Sequence, residues 1–246
     1  MLSPIFSLWL PALAPYRSHA IMLGMILGFA CAHSGLAYLR PWGEAWLGAR
    51  LYRLFFVLVS LSLAPLLLIY FSNHCYDGVI LWNLQAVPGI HTAVVLLSGL
   101  SFFFLYPATF NLLEIAAIRK PELHLFTTGI IRLTRHPQLV GQVIWCAAHA
   151  LWIGSSFMVA TSLGLIAYHL FAVWHGDYRL ERKYGQAFRD LKARTSVIPG
   201  LAILQGRQQL HPREFLRWAY LGVLSFVGIL YAFHPQLVSA ASKVAW

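Results

Sequence analysis

Charge is what this 246-residue chain has least of. Only 11% of its residues are Asp, Glu, Lys or Arg, against 59% hydrophobic, where a soluble domain carries about 25% charged residues. A water-soluble globule is therefore excluded, and the bilayer is the expected solvent. Acidic residues number 8, and no paired carboxylates fall inside the apolar runs, which removes general acid–base pairs of the glycosidase kind. Cysteine is scarce: Cys31, Cys75 and Cys146 give no disulfide framework. Cys31 and Cys146 lie in apolar runs. Cys75 lies in a polar connection, where a thiol is free or reactive. No HExxH, nucleophile elbow, GxGxxG or phosphate-binding loop occurs, so the common zinc, acyl-transfer and nucleotide signatures are missing. A signal peptide is not indicated either. Residues 1–17 are apolar but short, broken by Pro4, Pro11 and Pro15, without a basic start, and read as an interfacial segment.

What remains is long apolar sequence. A membrane-spanning helix needs about 20 apolar residues, and six stretches qualify: 18–39, 51–72, 91–112, 137–156, 157–175 and 214–234. The fourth and fifth are joined by IGSS, a helical hairpin. The expected fold is all-α, a single polytopic membrane bundle over 1–246 with about six transmembrane helices. Net charge is +10, and its placement argues for topology rather than for nucleic acid. With six spans, the basic residues of 40–53, 113–136 and 176–217 share one side, leaving Arg17 and Lys243 opposite. The positive-inside rule puts that side in the cytoplasm or its stroma-like equivalent. Segment 177–194 reads as an amphipathic surface helix interrupted at Gly185, with Tyr184, Phe188 and Leu191 on one face and basic residues suited to a membrane surface. Gly24 and Gly28 are the expected small residues for close helix packing.

Histidine carries the chemistry. There are 11. His33, His149 and His169 fall inside three different spans. His91 starts the third span, His136 and His175 sit at cytoplasmic edges, and His74 and His124 lie in connections. His19, His211 and His234 lie near span ends and look unremarkable. Ionisable groups within a span mark functional sites by default. Three imidazoles on separate helices suggest a shared ligand. Haem suits them, since it needs one or two axial ligands from facing helices and an apolar pocket. Cys146 is three residues from His149, on the same helix face, and a thiolate there is an alternative axial ligand. Depth arithmetic at 1.5 Å per residue pairs His33 with His169, which makes His169 a competitor of His149. Near the cytoplasmic edge, Glu114 is expected to pair with Arg132 or Arg135, or Arg132 and Arg135 to hold a haem propionate. The aromatic residues Phe102, Phe103, Phe104, Tyr106, Trp145, Trp152 and Phe157 are candidate walls for an apolar ligand.

Long phrases then carry a resemblance. AHSGLA, GARLYRLFFVLVSL, SFFFLYPATFNLLEIAAIRKPELHLFTTGIIRLTRHPQLVGQVIWCAAHALWIGSSF, LGLIAYHLFAVWHGDYRLERKYGQAF and RTSVIPGLAIL resemble the carotene-isomerising branch of the NnrU-like membrane family, over roughly residues 20–210. The resemblance implies an integral membrane enzyme with haem b. It isomerises the central 15-15′ double bond of 9,15,9′-tri-cis-zeta-carotene to give 9,9′-di-cis-zeta-carotene. The family's proposed axial histidines correspond to His33 and His149, its alternative thiolate ligand to Cys146, and other family histidines to His74 and His136. Plant members read HHLF where this chain has Tyr168-His169. Expected partners are zeta-carotene, membrane lipid, an electron donor and neighbouring carotenoid enzymes, with no nucleic acid. A plant-type transit region is missing, which suggests a bacterial, cyanobacterial-type inner or thylakoid membrane. Two other classes fit parts of the pattern. RHPQLVG followed by LERKYGQAF and VIP resembles the isoprenylcysteine carboxyl methyltransferase pattern, which holds S-adenosylmethionine. A non-enzymatic haem-binding redox or nitric-oxide-related membrane protein is the third reading.

Overall fold

The computed structural model describes residues 14–105, 125–216 and 218–244. Glu114, His124, Arg119, Lys120 and Tyr106, and most of the N-terminal interfacial segment, lie outside them. Among the described residues the protein is all-helical, with one isolated bridge between Ile80 and Ser155. The helices are α1 (Arg17–His74), α2 (Ile90–Leu105), α3 (Ile130–Leu133), α4 (Pro137–Ile153), α5 (Ser156–Tyr184), α6 (Gln186–Arg194), α7 (Leu201–Leu204) and α8 (Trp218–Ala241), with short 3-10 turns at Ala14–Tyr16 and Pro212–Phe215. Three of them, α1, α5 and α8, are long and apolar enough to cross a membrane, fewer than the six spans expected.

The shortfall is partly explained inside α1. Gly48 has φ 76° and ψ 154°, a conformation that glycine adopts without the steric cost of a side chain, and the helix reverses there. His33 Nδ1 lies 3.1 Å from Ser60 Oγ across 27 residues. A continuous helix would hold them about 40 Å apart. The Tyr52 hydroxyl likewise donates to the Leu36 carbonyl. Residues 17–47 and 49–74 are thus two limbs of a tight hairpin, where the sequence suggested a loop over 40–53.

Local chemistry accounts for the other boundaries. Pro137 opens α4 at a position where its missing N–H costs nothing. Gly154, left-handed at φ 68°, closes it. Ser155 then caps α5, its hydroxyl accepting from Met158 N at 3.0 Å, so the expected IGSS hairpin is present. Residues 79–85 strap over this turn. Leu81 N donates to Gly154 O at 2.7 Å, and Trp82 Nε1 to Ala150 O at 2.8 Å.

Two cores result. At this end Met22, Ile26, Tyr70, Phe71, Ile153, Phe157 and Met158 pack together. At the charged end Ile130, Ile131, Phe188 and Leu191 form a second cluster. The break at Gly185 and the amphipathic helix after it occur as expected, but α6 spends its apolar face on α3 rather than on a membrane surface. The packing glycines are also different ones. A Cβ at Gly24 or Gly28 would meet nothing within 4 Å, whereas at Gly141 it would lie 2.7 Å from the Ser101 carbonyl oxygen. Gly141 is where α4 crosses α2.

Candidate functional site

Each histidine expected within a span is held by its own helix or its hairpin partner. His149 Nδ1 is 2.9 Å from the Trp145 carbonyl, and its ring stacks on the Trp145 indole at 3.9 Å. His169 Nδ1 is 2.9 Å from the Leu165 carbonyl. A carbonyl only accepts, so in both rings Nδ1 carries the proton and Nε2 keeps its lone pair. His33 Nδ1 pairs with the Ser60 hydroxyl, which can take either role, between Phe29 stacked at 5.4 Å and Phe56 edge-on at 4.7 Å. Among the described residues no hydrogen bond engages Nε2 of any of the three. Neutral imidazoles oriented through Nδ1 have the donor chemistry that haem iron takes, so each of the three rings, taken singly, could hold the group. No cluster of three or more His, Cys, Asp or Glu side chains suited to a bare metal ion occurs among the described residues.

His33 has His169 as its electrostatic neighbour, and His149 has His234. Helix α5, which carries His169, packs against both α1 and α4. His234, which looked unremarkable in sequence, lies on α8 within electrostatic range of His149. Cys146 is buried at 2% exposure, its sulfur receiving a hydrogen bond from Gln142 Nε2 at 3.3 Å.

The charged end is closed by ion pairs that the sequence did not reveal. Arg132 forms a two-pronged contact with Glu214, at 2.8 and 2.9 Å, and gives a third bond to Gln208. Glu214 also receives Gly129 N at 2.6 Å. The Arg132 fork together with this amide holds the Glu214 carboxyl down at about 2, well below the ordinary 4.5. Arg135 and His136 both approach Asp177, at 3.6 and 3.0 Å. Arg132 and Arg135 therefore have carboxylates of their own chain, 82 and 42 positions away, as partners. His74 pairs with Asp77 at 2.8 Å. Cys75 is half-buried, and burial pushes its thiol up, away from the reactive thiolate.

The expected aromatic wall is dispersed. Phe102 and Phe103 face α8 through Phe226 and Tyr220, Phe104 joins the charged-end core, and Phe157 is fully buried. A different cleft, of about 1050 Å³, runs between the first limb of α1 and α5. Nothing in the sequence reading pointed to it. Its signal was a row of aromatic residues at helical spacing along α5.

Largely apolar helices among the described residues, with neutral imidazoles held inside them and the Arg132 and Arg135 ion pairs gathered at one end, define a membrane-associated helical protein with ligand-competent histidines. More particularly, residues 21–242 match the NnrU protein family, and the chain belongs to it. It is 52% identical over 228 residues to the protein named 15-cis-zeta-carotene isomerase, chloroplastic, from Arabidopsis thaliana, covering 92% of this chain and 62% of that protein. The correspondingly named protein of Zea mays is 51% identical over 229 residues, with 92% and 63% covered. The chain thus spans about three-fifths of the length of these curated relatives. Both are plant chloroplast proteins, which lends the bacterial expectation no support. No solved structure matches the chain.

Proposed function

We propose that the chain is a membrane-embedded cis–trans isomerase acting on the central 15-15′ double bond of 9,15,9′-tri-cis-zeta-carotene, with haem b as its cofactor. The observation that carries the reading is identity above one half, over 92% of the chain, to two proteins that bear the isomerase name. The proposed topology has six crossings: the two limbs of α1, α2 with the residues that follow it, α4, α5 and α8. The ion-paired end, rich in Arg and Lys, lies on the cytoplasmic or stroma-like side.

A hydrocarbon polyene offers no group for acid–base catalysis, so the residues that matter bind, orient and exclude water. When bound, haem iron supplies the electronic change that lowers the order of a conjugated double bond, with no net redox change over the reaction. His33 and His149 would hold the haem iron, with Cys146 as the alternative ligand and His169, within electrostatic range of His33, as the competitor. Ser60 fixes the His33 ring. The Trp145 carbonyl and indole fix that of His149.

The test uses the whole chain purified from haem-replete membranes. A Soret band that shifts on dithionite reduction is expected, and His33→Ala and His149→Ala should each abolish or move it. If His169→Ala alone moves the band, the ligand assignment is wrong. In parallel, cells that accumulate the tri-cis carotene in darkness should convert it on expressing this chain. Unchanged isomers, with the protein present and haem-loaded, would overturn the isomerase reading.

A further inference from the structure

The cleft between the first limb of α1 and α5 has the shape and lining of a binding site for an extended conjugated chain, and no imidazole expected to hold a cofactor lines it. Its floor is made by small residues on facing helices: Ala30, Cys31, Ser34 and Gly35 on α1, and Gly164 and Ala167 on α5. Its length follows from the lining, Leu23 to Tyr38 on one side, about 22 Å at 1.5 Å per residue. Its volume of about 1050 Å³ stands at the upper end of the ~300–1000 Å³ usual for small-molecule sites. It opens sideways, with Leu27 and Trp174 both 64% exposed, where an apolar ligand dissolved in lipid would enter.

The two walls differ, and the difference points to an occupant. Along α5, Tyr168, Phe171, Trp174, His175 and Tyr178 line the cleft at spacings of three and four. Within this ladder Phe171 lies parallel to His175, 21° between planes, and Trp174 to Tyr178, 17°. The α1 wall starts aliphatic, at Leu23 and Ile26, and becomes small. The two α5 ring pairs, with centroids 6.0 and 6.4 Å apart, make a continuous aromatic wall, which suits an extended π system through offset or edge-to-face contact. A saturated acyl chain gains nothing from that order. At the inner end Tyr168 meets Phe29 edge-on at 5.7 Å, and Phe29 in turn stacks on His33. One layer of aromatic side chains thus separates the cleft from the proposed ligand histidine.

We propose that this cleft is the polyene site: the conjugated chain lies along the α5 aromatic ladder, in the trench left by Gly35 and Ala167, with Tyr168 as the positioning residue between it and His33. This rests on the isomerase reading above for the identity of the substrate. It adds where that substrate binds and which residues select for conjugation.

Gly35 makes the test clean, because a Cβ there meets nothing within 4 Å. Gly35→Phe starts from a Cβ in open space and extends a ring from the cleft lining. The protein is reconstituted into phosphatidylcholine vesicles, and tryptophan fluorescence is followed as zeta-carotene is added. Wild type should show saturable quenching. Gly35→Phe should lose at least ten-fold in apparent affinity, and Trp174→Phe should remove most of the saturable signal. In the dark-conversion assay, Gly35→Phe at wild-type level and with a wild-type Soret band should convert less than a tenth as much. Quenching equal in wild type and Gly35→Phe, or wild-type conversion by Gly35→Phe, overturns the cleft. Squalene, flexible and unconjugated, should compete at least ten-fold more weakly than the carotene. Equal competition means a general lipid groove and also overturns it. Saturable, Gly35-sensitive quenching without conversion by wild type would sink the isomerase reading and leave the cleft standing.

Discussion

Gly141 provides the sharpest quantitative test of the packing. A Cβ at this position would stand 2.7 Å from both the Ser101 carbonyl oxygen and Leu105 Cγ, and 3.0 Å from Leu105 N. Carbon atoms in ordinary contact sit about 3.5–4.0 Å apart, so α2 and α4 would have to part by on the order of 1 Å. Two of the three obstructing atoms are backbone and cannot swing aside. Overpacking of this kind costs about 1–3 kcal/mol. Replacing a helical glycine by alanine also gains up to about 1 kcal/mol in propensity, and this must be separated out. Gly24 is the internal control, a helical glycine whose Cβ would meet nothing. Unfolding by SDS titration from mixed micelles, followed by tryptophan fluorescence, should show Gly24→Ala neutral or stabilised. Gly141→Ala should fall below it by about 1–3 kcal/mol. Equal stability of the two variants would refute the close α2–α4 crossing. The same displacement shifts α4, which carries His149, so Gly141→Ala should also broaden any Soret band.

Two further outcomes follow from named contacts. Ser155→Ala removes both the α5 cap on Met158 N and the bond from its hydroxyl to the Cys75 carbonyl. A loss of about 1–2 kcal/mol is expected in the same titration, and a change below a few tenths would exclude the capping role. Glu214 binds fewer protons folded than unfolded. Its contribution is therefore complete above its ordinary value of 4.5 and is lost as pH falls from there toward about 2. Proteolysis within 205–216 should rise over that window in wild type, and Glu214→Gln should be cut readily at neutral pH. Equal cutting of wild type and variant at neutral pH would argue against the Arg132–Glu214 clamp.

Elements whose ends are written in local chemistry were legible. The IGSS turn has its glycine and its capping serine adjacent, and Gly185 interrupts an otherwise helical pattern, so both were found. The reversal at Gly48 was read as a loop, because a single left-handed residue between helical limbs leaves little trace in composition. Depth arithmetic pointed from His33 to His169, and these two are electrostatic neighbours. The family resemblance pointed to His149 instead, and spectra of the single variants decide between them. Arg132 was matched in sequence with Glu114 because they lie near one edge, yet its partner Glu214 is 82 positions on. Ion-pair partners this far apart are set by the fold of the charged end, which no local pattern encodes. Asp177, which gathers Arg135 and His136, escaped notice for the same reason. The α5 aromatic ladder was missed: its residues recur at helical spacing in the sequence, but only the facing small residues of α1 turn it into a cleft.

The one-residue reversal at Gly48 also limits how this chain can vary in length. Each helical residue turns the chain by about 100°, so a single insertion beside Gly48 would rotate the second limb and swing Ser60 away from the His33 ring. This reversal works as a gear tooth: indels there change the angular phase of Ser60 against the half-buried His33 ring rather than the size of a loop.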